Sequence, residues 1–161
     1  MILILLILII ILILILIIYT SCYFIFNEEI SILQLKKNKL KIENLLSKQP
    51  IIIEDNIDNK FIKETFKYNI ISEYKAKKIW ERTNYKYTII YSLKDTTIFI
   101  SNPKELKTRI PNKKDIIIEI KLKKGRTLIV PFKWYYSLEN KNYVKIYGID
   151  DYITYIFGTI F

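Results

Sequence analysis

Tyr85-Lys86-Tyr87-Thr88-Ile89-Ile90-Tyr91-Ser92-Leu93-Lys94-Asp95-Thr96-Thr97-Ile98-Phe99-Ile100 reads as two strands joined by a turn. Tyr85, Tyr87, Ile89 and Tyr91 fall on one face of the first strand, and Lys86, Thr88, Ile90 and Ser92 on the other. Leu93-Lys94-Asp95-Thr96 turns the chain, and Thr97-Ile98-Phe99-Ile100 is expected to return as the partner strand until Asn102-Pro103 ends it. Period-two patterning over 85–92, followed by a turn and an apolar return strand, sets the class as mainly β.

Downstream the same rhythm continues. Residues 115–122 read as a strand, and Lys123-Lys124-Gly125 as a tight turn whose Gly can take positive φ. Strands follow at 127–130, 134–138, 143–147 and 152–157, separated by the polar turns 139–142 and 148–151. Short strands at this spacing predict a sandwich or partly closed barrel.

Upstream the pattern is helical. Pro50 precedes a short buried strand, Ile51-Ile52-Ile53, which ends in the turn-prone Glu54-Asp55-Asn56. Asp58 is placed to cap a helix running to about Lys67, with Phe61, Ile62, Thr65 and Phe66 on its buried side. A second helix, capped by Ser72, would carry Tyr74, Ile79 and Trp80. Ile32, Leu35, Ile42 and Leu46 recur at helical spacing between residues 28 and 47, which predicts a juxtamembrane helix.

Residues 2–26 carry no charge, and 2–18 are all Ile or Leu. At 1.5 Å per residue, roughly 37 Å of apolar helix predicts a membrane-spanning signal anchor. Tyr19, Tyr23, Phe24 and Phe26 gather at its end as an aromatic border. No ionisable side chain marks an ion or proton path, so transport is not expected. Lys36, Lys37, Lys39 and Lys41 follow the run and no basic residue precedes it, which places the N-terminus outside and the C-terminal domain in the cytosol. The expected organisation is a transmembrane helix at 2–26, a juxtamembrane helix and linker at 27–49, and a β domain with short N-terminal helices at 50–161.

With 26 basic and 16 acidic residues, the net charge is +10. Such a balance invites nucleic acid or anionic lipid as partner, although the basic residues are Lys in all but Arg82, Arg109 and Arg126. There is no His, and Cys22 is the only thiol. That excludes Ser-His and Cys-His nucleophile pairs, nearly all zinc sites and the two-His-one-carboxylate iron triad. Glu54-Asp55 and Asp150-Asp151 are read as turn residues, because sequence neighbours do not face each other as an acid/base pair must.

The segment Gly125-Arg126-Thr127-Leu128-Ile129-Val130-Pro131-Phe132-Lys133-Trp134-Tyr135-Tyr136-Ser137-Leu138 resembles the late strand pair of cupin-like β-barrels of the JmjC hydroxylase type. Those read Gly-Asp-x-Leu-x-x-Pro-x-x-Trp-x-His-x-Val. Gly125, Leu128, Pro131, Trp134 and Leu138 match, Arg126 stands at the family's Asp, and Tyr136 falls on its iron-binding His. Residues 87–103 look like the same family's earlier hairpin without its turn Gly. The resemblance covers about half of the chain beyond residue 27. With its Ile/Lys/Asn-rich composition, the chain is also similar to single-span membrane proteins of large DNA viruses.

What the resemblance implies is a cupin-like partial barrel or sandwich, preceded by two or three short helices, that lacks metal ligands. The expectations are therefore no enzyme activity, no cofactor, no metal and no catalytic residue. A structural or scaffold role follows, in a virion or host internal membrane, with the bilayer as partner through 2–26 and other proteins of the assembly as further partners. The alternative is a binding module in which Lys121, Lys123, Lys124, Arg126 and Lys133, interleaved with Trp134 and Tyr135, hold nucleic acid or anionic headgroups, nucleic acid being the less favoured.

Overall fold

The computed structural model describes residues 2–24, 30–77, 79–102, 111, 115–152 and 154–155. Two compact units divide the chain, Met1–Ile30 and Ser31–Phe161.

The first unit contains helix α1, Ile2–Phe24. Its Ile and Leu side chains from Ile2 to Ile18 are all exposed, from 39% at Leu16 to 80% at Ile2. Among the described residues no helix is long and apolar enough to cross a membrane. That corrects the expected membrane-spanning, single-pass anchor. The unbroken Ile/Leu run of 2–18 is 17 residues, which rises only about 25 Å against a hydrocarbon core of about 30 Å. Beyond Ile18 the sequence turns to Tyr19, Thr20 and Ser21. Residues 25–29 lie outside the described residues.

The second unit is mainly β. In chain order it contains β1 (Leu33–Leu35), α2 (Ile42–Leu46), β2 (Ile51–Ile53), α3 (Asn59–Thr65), β3 (Ile70–Tyr74), β4 (Trp80–Arg82), β5 (Tyr87–Ser92), β6 (Thr96–Ser101), β7 (Ile117–Leu122), β8 (Thr127–Pro131), β9 (Tyr135–Leu138) and β10 (Val144–Asp150). Single 3₁₀ turns lie at Lys37–Lys39 and Lys141–Tyr143. Sheet I has the order β1-β2-β8-β5-β10-β3, and sheet II the order β4-β9-β6-β7. From β3 onward the two sheets hold four strands each, and the chain changes sheet at every connection but β6 to β7. This is the alternation of a jelly roll, the double-sheet architecture to which cupins belong.

That alternation corrects the predicted hairpin. β5 does not pair with β6; it lies between β8 and β10, with Ile90 opposite Leu128 and Ile146. β6 pairs instead with β7 and β9, setting Ile98 opposite Ile120 and Leu138. The bend at Leu93–Asp95 crosses from one layer to the other, and a turn of that length serves either purpose. Ser92 and Gly125 hold the crossing together, since the Gly125 N–H donates to the Ser92 carbonyl at 2.9 Å. Gly125 takes φ +80 there, as a residue without Cβ does readily.

Sheet I is buried on both faces. Toward sheet II it presents Thr88, Ile90, Leu128 and Val130, all with no exposure. On its outer face Tyr87, Ile89, Ile129, Tyr147 and Ile149 cluster with Leu45, Ile51, Ile53, Ile57, Ile62 and Phe66, which arrive on α2, β2, α3 and their connections. Asp58 caps α3 as its sequence position predicts, accepting from the Phe61 N–H at 2.9 Å. Residues 31–49 therefore fold with the β unit.

Several expected helices are replaced. The helix drawn over 28–47 is β1, the 3₁₀ turn and the five-residue α2. Leu33 and Leu35 extend sheet I in parallel with Ile51 and Ile53, and edge pairing wins over a weak helical stripe interrupted by Lys39. The helix drawn from Ser72 is β3 and β4, with Ser72 paired to Gly148 and Trp80 to Ser137. The turn expected at 148–151 is the end of β10, which runs through Asp150. Tyr152, Thr154 and Tyr155 are helical rather than the start of a strand, and 156–157 lie outside the described residues. Thr154 and Asp151 close that turn reciprocally: the Thr154 N–H donates to Asp151 Oδ1 at 2.7 Å, and the Asp151 N–H donates to Thr154 Oγ1 at 3.0 Å.

Gly148 lies under the ring of Tyr85. A Cβ at this position would stand 2.5 Å from Tyr85 Cγ, Cδ1 and Cε1, so Gly148→Ala must displace the ring. Urea unfolding of Gly148→Ala is expected to show a loss of about 1–3 kcal/mol. Adding Tyr85→Ala should recover part of that loss, so the two changes together cost less than their sum.

Candidate functional site

Tyr136, the residue at the resembled family's iron-binding His, projects between the sheets and is 1% exposed. It stands on β9 opposite Ile100 of β6 and Glu81 of β4. Its hydroxyl lies 3.2 Å from that of Tyr74 on β3, whose oxygen is also 3.4 Å from Thr88 Oγ1 on β5. Tyr85 stacks on Tyr74 with ring centroids 5.1 Å apart, and its ring rests on Gly148. Three tyrosines and a threonine therefore bridge the two sheets where the resemblance would place metal chemistry. Burial, with the neighbouring Tyr74 hydroxyl, pushes the Tyr136 phenol far above the ordinary tyrosine value. Burial likewise raises Tyr74 and Tyr85. Neutral phenols donate and accept hydrogen bonds; they do not offer the anionic oxygen that would hold a metal ion. Among the described residues no group of three or more His, Cys, Asp or Glu side chains is placed to hold one.

The remaining motif residues have structural work. Leu128 is fully buried and Trp134 is 2% exposed. Pro131 closes β8 opposite Tyr87, and its carbonyl accepts from the Thr83 hydroxyl at 2.6 Å. Thr83, itself without exposure, also donates its N–H to the Trp134 carbonyl at 2.8 Å and accepts from the Lys133 N–H at 2.9 Å. These bonds tie the β8–β9 corner to the end of β4. Sequence reasoning passed over Thr83, because a lone Thr after a strand carries no local signal.

The five residues of the predicted anionic-ligand patch do not come together. Lys121, Lys123, Lys124 and Arg126 surround the β7–β8 turn. Lys121 is exposed and lies 3.7 Å from Glu119, and the Lys124 N–H donates to Asp95 Oδ1 at 2.7 Å. Lys133 lies beyond the other end of β8, about 17 Å of strand away. It is 8% exposed and left-handed at φ 66. Burial first, then the nearby Arg82 and Lys48 charges, lowers its amine to about 8.

The acidic pairs are more than turn residues. Asp150 is 6% exposed and accepts from the Lys86 N–H at 2.8 Å and the Thr154 hydroxyl at 3.1 Å, while Asp151 Oδ2 meets Lys86 Nζ at 2.6 Å. Burial raises the Asp150 carboxyl above the ordinary range. Asp55 accepts from the Lys37 N–H at 2.6 Å and so fixes the first 3₁₀ turn.

Among solved structures, the chain is similar to the crystal structure of dTDP-4-dehydrorhamnose 3,5-epimerase from Elizabethkingia anophelis, at 12% identity over 64% of this chain and 66% of that one, with a TM-score of 0.28. The chain thus spans just under two thirds of that protein's length. A likeness this distant carries none of that protein's chemistry here. The expectation that this chain is not an enzyme draws no support from it. No family model matches the chain, and no curated protein matches it.

Lys133 and the buried tyrosines, Tyr136 foremost, act on the alkaline stability profile with opposite signs. Lys133 titrates near pH 8 folded and near its ordinary 10.5 unfolded, so between those values the unfolded chain binds more protons and stability rises with pH. The raised Tyr136 keeps its proton while the unfolded phenol loses it near 10.0, so above that pH stability falls. Urea midpoints at pH 7, 9 and 11 are expected to show the rise and then the fall. Lys133→Met should flatten the rise, and Tyr136→Phe should lessen the fall.

Proposed function

We propose that the chain is a contact protein: a jelly-roll β unit that acts as a scaffold, held at a lipid surface by the aliphatic helix α1. The observation that carries the non-catalytic part is Tyr136. At the position of the resembled family's metal-binding His stands a phenol, 1% exposed, that meets Tyr74 across the sheets. The sequence offers no His to replace it, and its one Cys lies in α1. Attachment to lipid is supported by α1 itself, whose aliphatic side chains are exposed on every side and need an apolar cover. Acyl chains supply one without any requirement that the helix cross the bilayer. The assembly served would be a membrane of the viral kind to which the sequence bears a resemblance.

Flotation and metal analysis test the two parts separately. The full chain is expected to float with neutral phosphatidylcholine vesicles at high salt, and recovery in the dense fraction would refute lipid attachment. The same protein, incubated with ferrous iron and 2-oxoglutarate, is expected to retain no stoichiometric iron and to consume no 2-oxoglutarate. Retained iron or turnover would refute the scaffold reading.

A further inference from the structure

Three cations from separate parts of the second unit converge beside the β8–β9 corner. Lys133 is on the corner, and its N–H donates to the carbonyl of Thr83, the residue after Arg82. Arg82 ends β4, with its guanidinium carbon 5.9 Å from the centroid of the Tyr135 ring. Lys48 follows α2, its N–H donating to the Leu45 carbonyl, which also accepts from the Tyr87 hydroxyl at 3.3 Å. Tyr87 pairs with Pro131, so this chain of contacts leads back to the corner.

Two features set the cluster apart from ordinary surface lysines. Lys133 and Lys48 are the two non-Gly positive-φ residues among the described residues, at φ 66 and 54, and each is a long cation in a conformation that costs a side chain free energy. Arg82 Nε is buried and has no hydrogen-bond partner. An unsatisfied buried donor costs about 1–3 kcal/mol and calls for an acceptor. After burial, Arg82 and Lys48 are what lower the Lys133 amine, so two further positive groups lie near it.

We infer that Lys48, Arg82 and Lys133 form a binding site for a phosphate group, with Arg82 Nε donating to one phosphate oxygen and the two lysines neutralising its charge. A guanidinium fork suits a tetrahedral oxyanion, and the flanking lysines act as point charges. The chemistry is shared by free phosphate and by a phosphomonoester lipid headgroup. The site is distinct from the exposed lysines of the β7–β8 turn at the other end of β8.

The test uses the full chain in neutral detergent micelles, read by tryptophan fluorescence, since Trp134 adjoins Lys133 and Trp80 lies two residues before Arg82. One arm titrates inorganic phosphate, and the other dopes the micelles with phosphatidic acid. Saturable binding of inorganic phosphate assigns the site to free phosphate. Saturation with phosphatidic acid alone assigns it to a headgroup. Arg82→Gln and Lys133→Gly are each expected to weaken the binding on the order of tenfold or more. Gly keeps the left-handed corner without strain, so loss of binding there is not loss of fold; far-UV circular dichroism checks this. Arg82→Lys keeps the charge without the fork and should also bind more weakly than the parent chain. Lys121→Ala/Lys124→Ala should bind as the parent does. Saturation in neither arm, or equal binding by the Arg82 and Lys133 variants and the parent, overturns the site, as does equal loss in the Lys121/Lys124 variant.

Discussion

Sheet I has two faces to remove from water, and sheet II covers only one of them. Ile90, Leu128 and Val130 meet sheet II, while Ile89, Ile129 and Ile149 on the same strands face the other way. Each such side chain gains about 1.5–3 kcal/mol on full burial, so an uncovered outer face would cost about as much as the whole stability of an ordinary domain. Residues 31–66 exist in the fold to cover it. They add β1 and β2 to the edge beside β8 and lay Leu45, Ile57, Ile62 and Phe66 across the strands. The jelly roll is therefore completed by its N-terminal segment rather than merely preceded by it.

The same two-sided burial explains what could be read from the residues and what could not. The β class, the Asp58 cap and the Gly125 turn are local, and each has its own chemical signature. Partner choice between strands is not local. Residues 85–100 contain the marks of a hairpin, and what parts β5 from β6 is that each finds two partners elsewhere, with Ile90 between Leu128 and Ile146 and Ile98 between Ile120 and Leu138. β3 and β4 escaped recognition because they are five and three residues long and only partly buried, so the alternation that marks a strand has little room to show. The candidate sites fared alike. Tyr136 was found by its place in a motif, whereas Tyr74, Tyr85 and Thr88 reach it from other strands and carry no pattern of their own.

The two ends of β8 show how one strand keeps unlike environments apart. At its start Lys121, Lys123 and Lys124 stand in water, where charge costs little and binds weakly. At its end the chain must turn from sheet I to sheet II within Phe132, Lys133 and Trp134, and Thr83 holds that turn with three backbone atoms as partners. So tight a corner forces Lys133 into the left-handed region and buries it, although its side chain would keep its hydration elsewhere. Sequence proximity placed Lys133 with the β7–β8 lysines; topology gives it to Arg82 and Lys48.

A β fold of this kind separates scaffold from chemistry because its core is made by the alternate residues of strands, while its reactive groups, where it has them, occupy a few inward positions near one end. A buried Tyr at such an inward position costs the fold little if the phenol finds a partner, and for Tyr136 that partner is Tyr74 at 3.2 Å. The pairing also limits what the space between the sheets can hold. A neutral phenol whose ionisation is suppressed by burial neutralises no cation, and the stacked Tyr74 and Tyr85 occupy the space above Gly148. Positive charge stands apart from these phenols, at the β8–β9 corner, where Lys133 is buried beside Thr83.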